Sequence, residues 1–285
     1  MCRLGAHVGV RVPLSSLLYD PEHSLEVQAY RPREMCSGHV NVDGTGVAWW
    51  PRRGAGEPLR YVTERPPWSD PNLPALAPRI EAEVILAAVR SATPGMPFSA
   101  AAVAPFVADG VAFAHNGFVE DFERAVARSV LARLPDDLFG ELQVRTDSLV
   151  LFALLRRHLR ERPAAGLAEA HAAATAELAE ICVAAGVRAN LVSVAVDGGS
   201  LSAIRSAVGL PPNSLYIRAD KEAESAQIAS EPLQGSIPDP GSTKSPPASW
   251  EPVPDQTQVR MCVDRPAESL RSVALEVGAP SPPAE

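Results

Sequence analysis

The chain has 285 residues and a net charge of −8, long enough for one large domain or two small ones and of the wrong sign for a surface that grips nucleic acid. Hydrophobic residues make up 46% and charged residues 21%, the balance of a globular protein with a real core. The cysteines at 2, 36, 182 and 262 form neither a CxxC pair nor a zinc spacing, and neither a signal peptide nor a transmembrane run is legible, so a cytoplasmic protein with reduced thiols and no membrane partner is expected.

In chain order, residues 4–10 (LGAHVGV) read as a buried strand, and 15–20 and 24–30 as helical or irregular. Residues 38–50 combine glycines with β-branched and aromatic residues, which predicts a tight turn and then a strand that continues at 60–63. The proline-rich stretch from Pro66 to Pro78 is a loop with short helical turns. Ile80–Val89 and 110–114 are strands, the second closed by His115, Asn116 and Gly117. A helix is expected from Glu120 to about Leu134, ended by Pro135. Asp147 precedes a strongly amphipathic helix, and 166–185 forms another. Asn190–Val196 and Leu201–Ser206 are strands joined by an Asp-Gly-Gly turn. Short strands follow at 215–218 and 227–229. Residues 233–249, rich in Pro, Ser and Gly, form a disordered excursion. The chain returns to the fold at Trp250–Val263 and ends in a frayed tail. Strands at both ends with two long helices between them define an α+β protein. No GxxxxGKS/T or GxGxxG loop is present, and no cofactor or metal is expected.

The residue that weighs most is Cys2. Initiator methionine is normally trimmed before so small a residue, which leaves one residue with both a thiol and a free α-amine. Unperturbed, these titrate at roughly 8.5 and 7.7–8.0, so near neutrality the residue is a nucleophile with its own base. A chance cysteine is the competing reading. Arg90-Ser91-Ala92-Thr93 ends an apolar strand. There a guanidinium fork can grip a carboxylate, with a hydroxyl adding a third bond, or the arginine can simply face water. In His115-Asn116-Gly117, the Asn amide and the Gly N–H can converge as an oxyanion hole, or the pair can be a turn. Asp147 either caps its helix or receives an ammonium. The glycine-rich Asn41–Gly46 segment supports a site without entering the chemistry.

Together, in this order, an N-terminal Cys, NxDGxG, RSAT, HNG and a TDS before a long helix resemble the class II glutamine amidotransferases, the N-terminal nucleophile type. The likeness runs over about residues 2–232, with a weaker echo at Trp250–Val263. It implies a four-layer αββα sandwich of the N-terminal nucleophile hydrolase type, as one domain over 2–276 with a disordered tail at 277–285. It implies Cys2 as nucleophile, Asn116 and Gly117 as the oxyanion pair, Arg90 and Thr93 on the substrate α-carboxylate, and Asp147 on the α-ammonium. Many members have a His where this chain has Ala88; that His does not carry the chemistry. The segments VQAYRPRE, RPPWSDPNL, LAAVRSATPGMP, APF and ASEPL bring the chain nearest the free-standing γ-glutamyl amide hydrolases of ergothioneine biosynthesis. That resemblance implies a small-molecule γ-glutamyl substrate. A synthase would need a second domain to use ammonia, which also favours hydrolysis. The alternatives are a glutaminase subunit with a separate, ammonia-using protein partner, and a non-catalytic binding member. A cationic leaving group favours an aromatic or acidic rim; Trp49, Trp50, Trp68 and Asp70 are candidates, with ordinary packing as the competing role. Cys36, Cys182 and Cys262 read as small buried hydrophobes.

Overall fold

The apolar run of residues 84–89 has no polar alternation because both of its faces are covered. In the computed structural model, which describes residues 2–35, 40–54, 56–92, 98–234 and 249–275, Val84, Leu86 and Ala88 face one apolar cluster and Ile85, Ala87 and Val89 another. Side chains that alternate across a strand therefore meet hydrophobic neighbours on both sides.

The strands are β1 (Arg3–Pro13), β2 (Thr45–Trp50), β3 (Leu59–Thr63), β4 (Glu81–Val89), β5 (Phe106–Ala108), β6 (Val111–Val119), β7 (Ala189–Val196), β8 (Ser200–Arg205), β9 (Ala207–Val208), β10 (Tyr216–Asp220), β11 (Ser225–Ala229), β12 (Glu251–Pro252), β13 (Thr257–Cys262) and β14 (Arg271–Ala274). The first sheet runs β12-β10-β11-β1-β4-β2-β3; the second runs β14-β13-β8-β7-β6-β5, with β9 beside β7. The neighbours pair antiparallel. The two sheets stack face to face, with Leu4, Ala6, Val8, Leu86, Ala114 and Val194 between them.

Short helices α1 (Ser15–Leu18), α2 (Leu25–Tyr30) and α3 (Leu73–Leu76) cover the outer face of the first sheet through Leu17, Leu25 and Leu73. Between the sheets' two halves in sequence lie α4 (Ala127–Leu131), α5 (Asp136–Gly140), α6 (Asp147–Glu161) and α7 (Gly166–Ala185); α8 (Pro266–Ser269) follows β13. The outer face of the second sheet packs on α6 and α7 through Phe113, Leu151, Leu154, Ala174 and Leu178. The order helix, sheet, sheet, helix is the αββα sandwich. No helix among the described residues is long and apolar enough to cross a membrane.

Four expectations change. His115, Asn116 and Gly117 do not close β6 but continue it, paired with Ser193, Val192 and Leu191 of β7; the ladder overrides the local turn preference of Asn-Gly. The helix expected over 120–134 is broken, starting as a π-helical turn over Phe122–Val126 before α4. The helix at 147 is capped by Thr146, whose Oγ1 accepts from Leu149 N at 3.2 Å, so Asp147 is released for another task. Leu233, assigned to the excursion, is buried with Trp250 in the outer core. The rest of that excursion, apart from Gln234 and Ser249, and the tail at 277–285 lie outside the described residues.

Candidate active site

Period two places the candidate chemistry at one end of the gap between the sheets. Cys2 precedes β1 on the same face as Leu4 and Ala6, and Arg90 follows β4 on the face of Leu86 and Ala88. Arg3 pairs with Val89, so Cys2 and Arg90 are neighbours across the ladder. On β6 the residues facing the gap are Ala112 and Ala114, and Asn116 continues that row towards the first sheet. A cleft opens here, with Cys2, Arg90, His115, Gly117, Asp147 and Ser148 in its wall. Ala88 forms part of the same wall.

Each candidate is held by its neighbours. The Cys2 Sγ lies 3.9 Å from the Ser91 carbonyl oxygen. The backbone of Arg90 is bracketed by the glycine-rich segment: Arg90 N donates to Gly44 O at 2.8 Å and Asp43 N donates to Arg90 O at 3.0 Å. Asp43 Oδ2 accepts from Ala92 N at 2.7 Å. Gly44 has φ +142° and a Cβ there would come within 2.6 Å of Val103 Cγ2, so only glycine closes this brace. Thr93 lies outside the described residues.

Asn116 is fully buried. Its Nδ2 donates to Ser230 Oγ at 3.3 Å, and that hydroxyl also accepts from Leu4 N at 3.0 Å. The Asn116 backbone carbonyl accepts from Asn213 Nδ2 at 2.8 Å. Asn116 thus spans the gap to the strand that carries Cys2. Glu120 N donates to Arg188 O, which assigns the even-numbered residues of β6 to the ladder with β7. The N–H groups of Gly117 and Val119 therefore point away from β7, and that of Val119 meets Asp147 Oδ2 at 2.9 Å.

Asp147 is buried, and its Oδ1 accepts from Ser148 N at 2.6 Å. Gly117 is fixed by His115: side chains of 115 and 117 share a face, and the imidazole passes over residue 117 to reach Asn190 O at 2.8 Å. A Cβ on residue 117 would overlap both the Asn190 carbonyl oxygen and the His115 ring. Gly117→Ala is expected to destabilise the fold by about 1–3 kcal/mol, the usual cost of overpacking, read as a drop in thermal midpoint; an unchanged midpoint would mean the ring does not occupy this place.

A charged cluster beneath Cys2 was not legible in the sequence. Arg3, the next residue, is fully buried and its Nη2 lies 3.1 Å from Glu231 Oε1. Glu231 is also fully buried and accepts from His23 Nε2 at 2.6 Å and from the N–H groups of Arg33 and Glu34 at 2.9 Å each. Burial pushes the Glu231 carboxyl up, but His23, these two N–H groups and Arg3 together hold it below the usual carboxylate range. The one hint was an arginine opening an apolar strand. The other half of the pair stands 228 positions away, as the two residue numbers show.

The four rim candidates lie elsewhere. Trp50 is buried between the sheets, its Nε1 donating to Gly56 O at 2.9 Å, and Trp49 is in the outer core. Asp70 caps a turn by accepting from Asn72 N and Leu73 N. Trp68 is exposed and meets Tyr30 edge-on at 5.4 Å. Among the other thiols, Cys182 is buried and pushed up to about 12, first by burial and then by Asp147. Cys262 is exposed and Cys36 lies outside the described residues.

Comparison with known proteins agrees with this architecture. The model of the family described as glutamine amidotransferases class-II matches residues 17–231, more than half of the chain, and the chain belongs to that family. Two curated relatives carry the name gamma-glutamyl-hercynylcysteine sulfoxide hydrolase. The one from Mycobacterium tuberculosis (strain ATCC 25618 / H37Rv) is 41% identical over 120 residues, covering 42% of this chain and 50% of its own length. The one from Mycolicibacterium smegmatis is 36% identical over 155 residues, covering 54% of this chain and 62% of its own. The matched stretches thus span half to under two thirds of those relatives. Among solved structures, a glutamine aminotransferase class-II domain protein from Silicibacter pomeroyi superimposes with a TM-score of 0.64 at 24% identity, over 96% of this chain and 99% of that one. Glutamine phosphoribosylpyrophosphate amidotransferase from B. subtilis gives 0.62 at 13% identity, over 98% of this chain and 50% of that one. At these identities the superpositions speak for the fold.

Proposed function

We propose that the chain hydrolyses a γ-glutamyl amide through a thioester on Cys2. The observation that carries this reading is the meeting, in one cleft, of a thiol beside the chain start, a guanidinium, an N–H turned away from its ladder and a buried carboxylate. Arg90 grips the α-carboxylate of the glutamyl group, with Thr93 as a second contact, and Asp147 receives the α-ammonium. The γ-carbonyl then lies beside Cys2. The α-amine of Cys2 takes the thiol proton, directly or through water, and the sulfur adds to the carbonyl carbon. The oxyanion is met by Asn116 Nδ2 and the Gly117 N–H. As the C–N bond breaks, the leaving amine takes the proton back from the Cys2 ammonium. Water then adds to the thioester, and glutamate and the free thiol are restored.

The two curated relatives point to γ-glutamyl-hercynylcysteine sulfoxide as the substrate, with hercynylcysteine sulfoxide as the leaving amine. The test is glutamate release by the untagged protein from that sulfoxide and from free glutamine, side by side. Faster release from the sulfoxide is the expected result. Preference for glutamine would move the chain to the ammonia-supplying class and call for a partner protein, and release from neither would sink the reading.

Asp147→Asn keeps the shape but removes the charge. A hydrogen bond to a charged group is worth about 1.5–3 kcal/mol, so KM for the γ-glutamyl substrate is expected to rise roughly ten- to a hundredfold. An unchanged KM in initial-rate measurements would remove Asp147 from the binding site.

A further inference from the structure

His115 takes no part in the steps above, yet it lies in the cleft wall and is only 3% exposed. Its Nε2 is 2.8 Å from the Asn190 carbonyl oxygen and its Nδ1 is 2.9 Å from Ser148 Oγ. The same hydroxyl is 3.1 Å from Asp147 Oδ1. A carbonyl oxygen only accepts, so Nε2 carries a hydrogen in either protonation state. In the neutral ring Nδ1 is then a lone pair and draws the Ser148 hydrogen to itself. The Asp147 carboxylate draws on that same hydrogen. One donor therefore faces two acceptors. Protonation of the ring resolves the conflict: Nδ1–H donates to Ser148 Oγ, and the hydroxyl turns to donate to Asp147 Oδ1.

We propose that His115 is a specificity-determining positioning residue which, through Ser148, sets how much of the Asp147 charge is offered to a ligand ammonium. The proposal rests on the reading of Asp147 as the ammonium receptor. With the ring neutral, Ser148 bonds His115, and Asp147 keeps only its two backbone donors, Val119 N and Ser148 N. Its remaining lone pairs are then open to an ammonium. With the ring protonated, Ser148 adds a third donor and brings positive charge to the carboxylate, and the ammonium is bound more weakly. Proton and ammonium oppose each other across Ser148, and such coupling is reciprocal.

The other charged or titratable groups around the ring, among the described residues, do not supply this linkage. On α7, His171 sits between Ser202 and Ser193, pushed down to about 3 chiefly by burial, and the raised Cys182 thiol stays neutral. Across the cleft, Arg90 keeps its charge, and Cys2 is removed in the test protein.

The experiment uses the full chain with Cys2→Ala, so that binding is read without turnover. Calorimetry compares L-glutamate with glutarate, which has both carboxylates and no ammonium, at about pH 7 and about pH 5.5. Glutamate is expected to bind about tenfold more weakly at the lower pH, and glutarate within about twofold at both. Adding Ser148→Ala is expected to reduce the glutamate ratio below about twofold. Should that variant not fold, His115→Asn, which cannot titrate, must do the same.

A full glutamate ratio retained in either folded variant would overturn the relay, as would an equal ratio for glutarate. No glutamate binding at either pH would overturn both the relay and the reading of Asp147. Glutamate binding with the expected pH ratio in a protein that releases no glutamate from γ-glutamyl amides would sink the hydrolase and leave the relay standing.

Discussion

Cys2→Ala is expected to abolish glutamate release, by at least about a thousandfold, as loss of a covalent nucleophile does, while the thermal midpoint stays near that of the parent. The two halves of this expectation come from different observations. The loss follows from the absence of another candidate nucleophile of this kind in the described part of the cleft: the wall offers serine hydroxyls but no second thiol. The survival of the fold follows from how little the side chain does structurally. Among the described residues its sulfur has one weak hydrogen-bond contact, 3.9 Å to the Ser91 carbonyl, and an alanine methyl retains the strand geometry of β1. A companion experiment separates thiol from amine. A peptide tag left in front of Cys2 converts the amine to an amide, and the same loss is expected with the thiol intact. Full activity in the tagged protein would refute self-activation by the amine; activity in Cys2→Ala would refute the thioester route altogether. Mass measurement of the untagged protein shows whether Met1 is gone, on which both arms depend.

Glu231→Gln is expected to cost about 3–5 kcal/mol of stability, the usual result of removing one partner from a buried ion pair. Arg3 and Glu231 are both fully buried, and His23 shares the same carboxylate. An amide in that place removes the charge that Arg3 and His23 both meet in a dry interior. A loss of this size is a large part of a typical total of about 5–15 kcal/mol, so the variant is read by denaturant midpoint at low temperature. A Glu231→Gln variant within about 0.5 kcal/mol of the parent, the scale of an ordinary surface change, would show that the cluster does not stabilise the fold.

The pH dependence has a definite sign. The Glu231 carboxyl is held below its ordinary value of 4.5 in the folded chain. Its contribution is therefore present above that value and is lost as pH falls through the lower, folded value. The parent is expected to lose stability in acid more steeply than Glu231→Gln over that window. Equal acid limbs would contradict the depressed carboxyl.

The sequence by itself determined the local matters. Strand β4 was legible as an apolar run, α6 and α7 as long helices, and the Asp-Gly-Gly turn between β7 and β8 from its dipeptides, because each depends on neighbours in the chain. Cys2, Arg90, Asn116, Gly117 and Asp147 were legible as candidates from their order and spelling through the family resemblance. Composition and periodicity did not reach the four layers: strands covered on both faces lose the alternation that would reveal which face is which. Only the tertiary structure decided three further matters. Asn-Gly at 116–117 is strand and not turn, because β7 supplies a ladder stronger than a local preference. Thr146, and not Asp147, caps α6 through its Oγ1. Arg3 is paired with Glu231 because β11 returns beside β1 after more than two hundred residues. Such contacts depend on which strands lie side by side, and that order is set by long-range packing that no window of sequence contains.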